Sequence, residues 1–161
     1  MYIPRFRTVY QSFAYAWAGL VHAYATQRNL RFHFLAAYTA TAAGVVLSVS
    51  AYELYALIFA SAMVLVTEMV NTSIEVCVDL AAQGYHPLAR TAKNVAAAAV
   101  LFTSIVALGL GAAIFLPRLD MIPDALMELF GAKPALGILL SGIWLVLGYT
   151  ALFPFGQSIW R

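Results

Sequence analysis

Charge is scarce in this chain. Nine Lys or Arg and seven Asp or Glu are spread through 161 residues, while hydrophobic residues make up 63%. Three stretches carry no charge at all: Phe32 to Tyr52, Asn94 to Pro117 and Pro134 to Trp160. Each is at least as long as the ~20 residues that cross a bilayer core as a helix. With a mean hydropathy of +0.85, this composition excludes an ordinary soluble domain. A net charge of +2 with no basic block gives no electrostatic footprint for nucleic acid. Cys77 is the only cysteine, so an intrachain disulfide is excluded. There is no G-x-x-x-x-G-K-[ST] and no Gly-rich kinase loop, so no standard nucleotide motif is present. A cleavable leader is not expected, because Arg28 and Arg31 interrupt the first apolar stretch. No fixed-period repeat and no inverted pair of broken helices suggests a solenoid or a transporter.

What remains is an all-α integral membrane protein. Val9, Phe13, Trp17, Leu20 and Tyr24 recur at helical spacing after Arg5 and Arg7. An aromatic-rich face of this kind predicts an interfacial helix over about 8–29, with packing on the bundle as the alternative. A first membrane span is expected over about 30–50, with Ala36, Ala40, Ala43 and Gly44 permitting close helix contact. The run Leu54 to Thr67 is short alone but continues into a polar stretch, predicting a second helix over about 52–82. Gly84 and Pro87 mark a loop, and Lys93 and Asn94 are expected to open a third span over about 93–116. Pro117 ends it, and an outer segment from Arg118 to Lys133 leads to a fourth span over about 134–153. Arg5, Arg7, Arg28, Arg31, Arg90, Lys93 and Arg161 fall on one side of this scheme, and Arg118 and Lys133 on the other. That asymmetry puts both termini in the cytoplasm.

The second helix carries the chemistry. Glu68, Asn71, Glu75 and Asp79 step by three, four and four residues, which confines them to an arc of about 80° on one helical face. Carboxylates so close repel unless a cation or proton intervenes. Glu68 lies about 22 Å beyond Glu53 along the axis, near the inner boundary of the hydrocarbon, and Glu75 and Asp79 reach water. Phosphoryl transfer to a membrane alcohol would use such a stripe, with Glu68 as base and Glu75 holding Mg²⁺ through oxygen. Asn71 would then orient the hydroxyl or metal, Asp79 would bind ribose or order the loop, and Lys93 would meet the phosphates. From spacing alone, two other readings stay open: a structural network of acids with Arg90 and Lys93, or a proton pathway. His86 by itself reads as a capping residue. Cys77, about 180° from Glu68, reads as an apolar contact.

The run E-M-V-N-T-S-I-E-V-C-V-D-L, followed by Y-H-P-L-A-R-T-A-K-N, closely resembles the small prokaryotic diacylglycerol kinase family. Y-H-P-L-A is more similar to its undecaprenol kinase branch, and S-F-A-Y-A-W-A-G and R-N-L-R-F-H also resemble the family. The resemblance covers about residues 5 to 117. It implies a lipid kinase core over 1–117 with three spans, usually homotrimeric, with sites shared between subunits. It also implies ATP as co-substrate, Mg²⁺ and a bacterial cytoplasmic membrane. The implied base is Glu68, the motif asparagine Asn71, a metal ligand Glu75, the next acid Asp79 and the phosphate-contacting lysine Lys93. Tyr85, His86 and Asn94 fall in the implied nucleotide region. Three features depart from the pattern. Gln27 stands where a second metal-binding glutamate is usual, and Asn94 where an aspartate follows the lysine. An amide keeps an oxygen ligand and loses a full charge, which weakens metal or nucleotide binding and makes a non-catalytic membrane subunit the alternative. The extension 118–161, with its fourth span, is absent from ordinary members.

Overall fold

The computed structural model describes residues 8–82 and 84–153. Arg5, Arg7 and Arg161, which enter the orientation argument, lie outside the described residues, as does Gln83 in the loop. Among the described residues the chain is helical throughout, with no strand. The elements are α1 (Val9–Thr26), α2 (Arg28–Val46), α3 (Ala51–Ala81) and α4 (Pro87–Phe115), then a 3₁₀ segment (Leu116–Met121), α5 (Ile122–Gly131) and α6 (Pro134–Leu152). Three stretches are long and apolar enough to cross a membrane: Ala51–Ala81, Pro87–Gly131 and Pro134–Leu152. The protein is a multi-pass membrane protein. α2 is less apolar, because Asn29, Arg31 and His33 occupy its first turns.

Local chemistry sets each boundary. α1 opens with a capping box, Thr8 Oγ1 accepting from Gln11 N while Gln11 Oε1 accepts from Thr8 N. It ends at Thr26, three residues before the expected limit, because Gln27 is extended and serves as C-cap of α1 and N-cap of α2. Arg31 reaches back to donate to the Ala25 carbonyl at 3.2 Å, satisfying an acceptor in the last turn of α1. α2 stops at Val46, short of the expected 50. Ser48 takes a left-handed conformation (φ 49°), and Ser48 N and Val49 N donate back to the carbonyls of Val45 and Gly44. This is the Schellman ending, made here without glycine at its usual position.

α3 begins with a second capping box, Ser50 with Glu53, and runs 31 residues, about 46 Å. That exceeds the ~30 Å hydrocarbon core, so one end must project. α4 starts at Pro87, earlier than expected: proline stands in the first turn and His86 caps it, so Lys93 and Asn94 lie inside the helix rather than opening it. The outer segment expected only as a connection is also ordered. Pro123 and Asp124 stand in the first turn of α5, which folds back so closely on α6 that a Cβ at Gly137 would lie 2.8 Å from the Phe130 ring.

Packing follows chain order, α2 against α3 and α3 against α4. Gly44 makes the α2–α3 crossing close: a Cβ there would meet Leu54 Cδ1 at 3.2 Å and Leu57 Cδ1 at 3.3 Å. α6 runs antiparallel to α2 and is tied to it by hydrogen bonds. Tyr38 Oη donates to the Leu140 carbonyl at 2.8 Å, and Trp144 Nε1 donates to Thr39 Oγ1 at 3.2 Å. At the far end, the hydroxyls of Tyr24 in α1 and Thr150 lie 2.6 Å apart. The α3–α4 hairpin is pinned at both ends by ion pairs, Arg118 with Glu53 and Lys93 with Asp79. Phe59, Val66, Phe102, Ile105 and Leu108 remain exposed on this single chain, a surface suited to hydrocarbon rather than water.

Candidate active site

Glu68 and Asn71 lie on the buried face of α3, at 3% and 7% exposure, together with Val64 and Thr72. Glu75 is half-buried, and Asp79 is exposed with 68% of its side-chain surface accessible. The stripe therefore grades from enclosed to open along one helix, in the direction its sequence depth implies. The Glu68 carboxylate has no ion-pair or hydrogen-bond partner among the described residues, although its backbone carbonyl accepts from Thr72 Oγ1 at 3.0 Å. The carboxylate oxygens are not among the side-chain atoms fully shut off from solvent, so the little surface Glu68 keeps is at its carboxylate, and an ionisable group so placed is a candidate functional residue. Glu75, seven residues on and about 10 Å along the axis, adds a second negative charge on the same face.

One turn past Glu68 the stripe becomes a ligand pair. Asn71 Nδ2 donates to Glu75 Oε1 at 3.0 Å, and Asn71 Oδ1 is buried with no partner. One carboxylate and one free amide oxygen are hard donors of the kind Mg²⁺ accepts, and Mg²⁺ is commonly held by one or two carboxylates plus substrate phosphates. No group of three His, Cys, Asp or Glu able to hold a metal occurs among the described residues. The donors thus fit an ion arriving with a polyphosphate better than a resident metal in a closed cage.

The α4 side of the site is set by helical register. Lys93, Ala96, Val100 and Thr103 share one face; Ala96 and Val100 are buried, and Thr103 Oγ1 meets Thr67 Oγ1 of α3 at 2.9 Å. The same face aims Lys93 at Asp79, with Nζ 2.5 Å from Oδ1. Between these two contacts the antiparallel register sets the small, buried side chain of Ala96 level with Glu75. Asn94 lies about 100° around α4 from Lys93 and is exposed, so it does not join this face. Arg90 makes no ion pair among the described residues, so the acid–base network reduces to Asp79 with Lys93.

Tyr85 and His86 border a concavity of about 530 Å³ between the end of α3 and the start of α4. Tyr85 is exposed, whereas His86 Nδ1 is engaged as a helix cap, accepting from Leu88 N at 3.2 Å. Gln27 sits half-buried at the α1–α2 joint, and no hydrogen bond links it to Glu75 among the described residues. Cys77 is exposed, away from the acidic face. Arg31 went unrecognised in the sequence as a site feature. It is 4% exposed, with Nε buried and unpartnered, and only its place in R-N-L-R-F-H hinted at it.

The fold and this stripe define a multi-pass helical membrane protein with an acidic face on α3 that runs from buried to exposed. A profile of the family described as Prokaryotic diacylglycerol kinase matches residues 14–115. A Synechocystis protein named diacylglycerol kinase is 42% identical over 109 residues, 67% of this chain. That match spans 62% of the Synechocystis protein's own length. A Bacillus subtilis undecaprenol kinase is 34% identical over 110 residues, covering 68% of this chain and 89% of that protein. An Escherichia coli K12 diacylglycerol kinase is 32% identical over 102 residues, covering 63% and 84%. The chain belongs to the prokaryotic diacylglycerol kinase family, a family of membrane lipid kinases that use ATP. All of the site residues singled out above lie within the matched region; α5 and α6 lie outside it.

Proposed function

We propose that this chain transfers the γ-phosphoryl group of ATP to the hydroxyl of a membrane lipid alcohol, undecaprenol in preference to diacylglycerol. The observation that carries the reading is Glu68, enclosed on the inner face of α3 at 3% exposure with no partner for its carboxylate among the described residues. Glu68 accepts the hydroxyl proton as the lipid oxygen bonds to the γ-phosphorus. The bond from that phosphorus to the β-bridging oxygen breaks, and ADP leaves. Asn71 and Glu75, with Gln27 as a third oxygen, would hold a Mg²⁺ ion arriving with ATP, and such an ion would supply positive charge against the phosphates. Lys93 keeps one N–H on Asp79 and has two more for phosphate oxygens. Asp79, Tyr85 and His86 form the nucleotide side, with Asn94 at its edge, off the face that carries Lys93. We place the protein in a bacterial cytoplasmic membrane with both termini inside, following its Lys and Arg distribution, and as a homotrimer.

Undecaprenol is favoured by Tyr85-His86-Pro87-Leu88-Ala89 and by the extent of the Bacillus subtilis match. A second reading, a non-catalytic lipid-binding or assembly subunit, is favoured by Gln27 and Asn94, where acids would strengthen the site. Purified protein in liposomes, given Mg²⁺ and γ-labelled ATP, decides between them. Label is expected on undecaprenol with a higher kcat/KM than on diacylglycerol. Label on diacylglycerol alone would reassign the acceptor. Label on neither, with the protein folded, would sink the kinase reading and leave the non-catalytic one.

A further inference from the structure

Three apolar grooves open around α2, of about 900, 440 and 760 Å³. One side chain lines all three: Trp144 of α6. The largest groove runs between α2, α3 and α4, along α2 from Phe32 to Ala43 and along α3 from Val64 to Leu57. Its volume is that of a ligand pocket rather than a packing defect. Val64, which lines the groove, shares the buried face with Glu68 and lies one turn from it, so the groove ends one turn short of the candidate base. The other two lie on the α6 side of α2, one continuing toward α5. Trp144, 45% exposed, lies in the wall they share. Its Nε1 donates to Thr39 Oγ1 at 3.2 Å and, one turn earlier, the Leu140 carbonyl accepts from Tyr38 Oη, which ties this part of α6 to α2.

We propose that the groove beneath Glu68 holds the hydrocarbon chain of the acceptor lipid, and that Trp144 restricts it to a single chain. The inference rests on the lipid-kinase reading. It adds a specificity-determining residue on α6, outside the region matched to the family. The occupant follows from position: a lipid hydroxyl at Glu68 leaves its chain to run down α3 toward Leu57, and the walls there are almost wholly apolar. A one-chain alcohol fits a groove closed by an indole. A two-chain lipid needs a second groove as well, and the indole stands with Thr39 and Ala43 in the wall between the first and the one toward α5.

The test compares wild type, Trp144→Ala and Trp144→Phe in liposomes, with undecaprenol and dioleoylglycerol as acceptors. Trp144→Ala is expected to lower the ratio of kcat/KM for undecaprenol over dioleoylglycerol about tenfold, through the acceptor KM. The KM for ATP should stay unchanged. Trp144→Phe keeps a ring in place and should hold the ratio within about twofold of wild type. A ratio unmoved by Trp144→Ala in folded protein would overturn the proposal. A second measurement needs no turnover: a diazirine-bearing polyprenol is photo-crosslinked and its adducts mapped. Adducts between Phe32 and Ala43 or Leu57 and Val64, competed by undecaprenol more strongly than by dioleoylglycerol, support the groove even if no lipid is phosphorylated. Adducts confined elsewhere overturn it even if the protein is an active kinase.

Discussion

Lys93 and Asp79 meet at 2.5 Å with much of both side chains in solvent, 36% and 68% exposed. Exposed ion pairs of this kind contribute about 0–1 kcal/mol, so stability alone is a weak reason for the contact. A lysine that positions phosphates behaves differently. Lys93→Gln is expected to leave the melting temperature in detergent nearly unchanged while transfer from ATP falls by about 10²-fold. Unaltered transfer would make the pair merely structural. The acidic stripe on α3 was legible in the sequence, because its members lie on one helix and their spacing fixes their relative direction. The Asn71–Glu75 hydrogen bond, four residues apart on that face, is consistent with that spacing but emerges only in the structure. The pairing of Lys93 with one acid, and the exclusion of Asn94 and Arg90, were not legible. They depend on how α4 is rotated against α3, which the spacing within one helix leaves undetermined.

Helix boundaries departed from expectation wherever a capping interaction outweighed hydropathy. Pro87 reads as a breaker when scanned forward and as a first-turn residue when His86 caps behind it. Charged residues hid α5, though Pro123 and Asp124 are helix-start residues and Leu129 is buried. Among the small residues expected to bring α2 close to its neighbours, Gly44 does so. Ala36, Ala40 and Ala43 instead line the groove beneath Glu68. That difference predicts different mutational costs. Gly44→Val drives methyls into Leu54, Leu57 and Val49, already 3.2–3.3 Å from a hypothetical Cβ. It should cost about 1–3 kcal/mol by overpacking, seen as a lower thermal midpoint in detergent. An unchanged midpoint would show that the α2–α3 crossing is looser than its geometry states.

At the scale of the molecule, the two ion pairs clamp α3 and α4 at ends separated by 26 residues of α3, about 39 Å. Between them, α2 packs across α3 and the extra helix α6 closes onto α2, so the extension contributes to the core's architecture instead of trailing from it. The arrangement sets an apolar groove, a buried acid, an oxygen pair and a cation in sequence along α3 from Leu57 to Asp79. In the proposed reaction Glu68 takes the proton of a lipid hydroxyl at the head of that groove. That step is tested most directly by label transfer from ATP to undecaprenol in liposomes, comparing wild type with Glu68→Gln matched for melting temperature and ATP binding. Loss of a general base predicts a fall of about 10²- to 10⁴-fold in kcat. Transfer by Glu68→Gln at the wild-type rate would contradict the account.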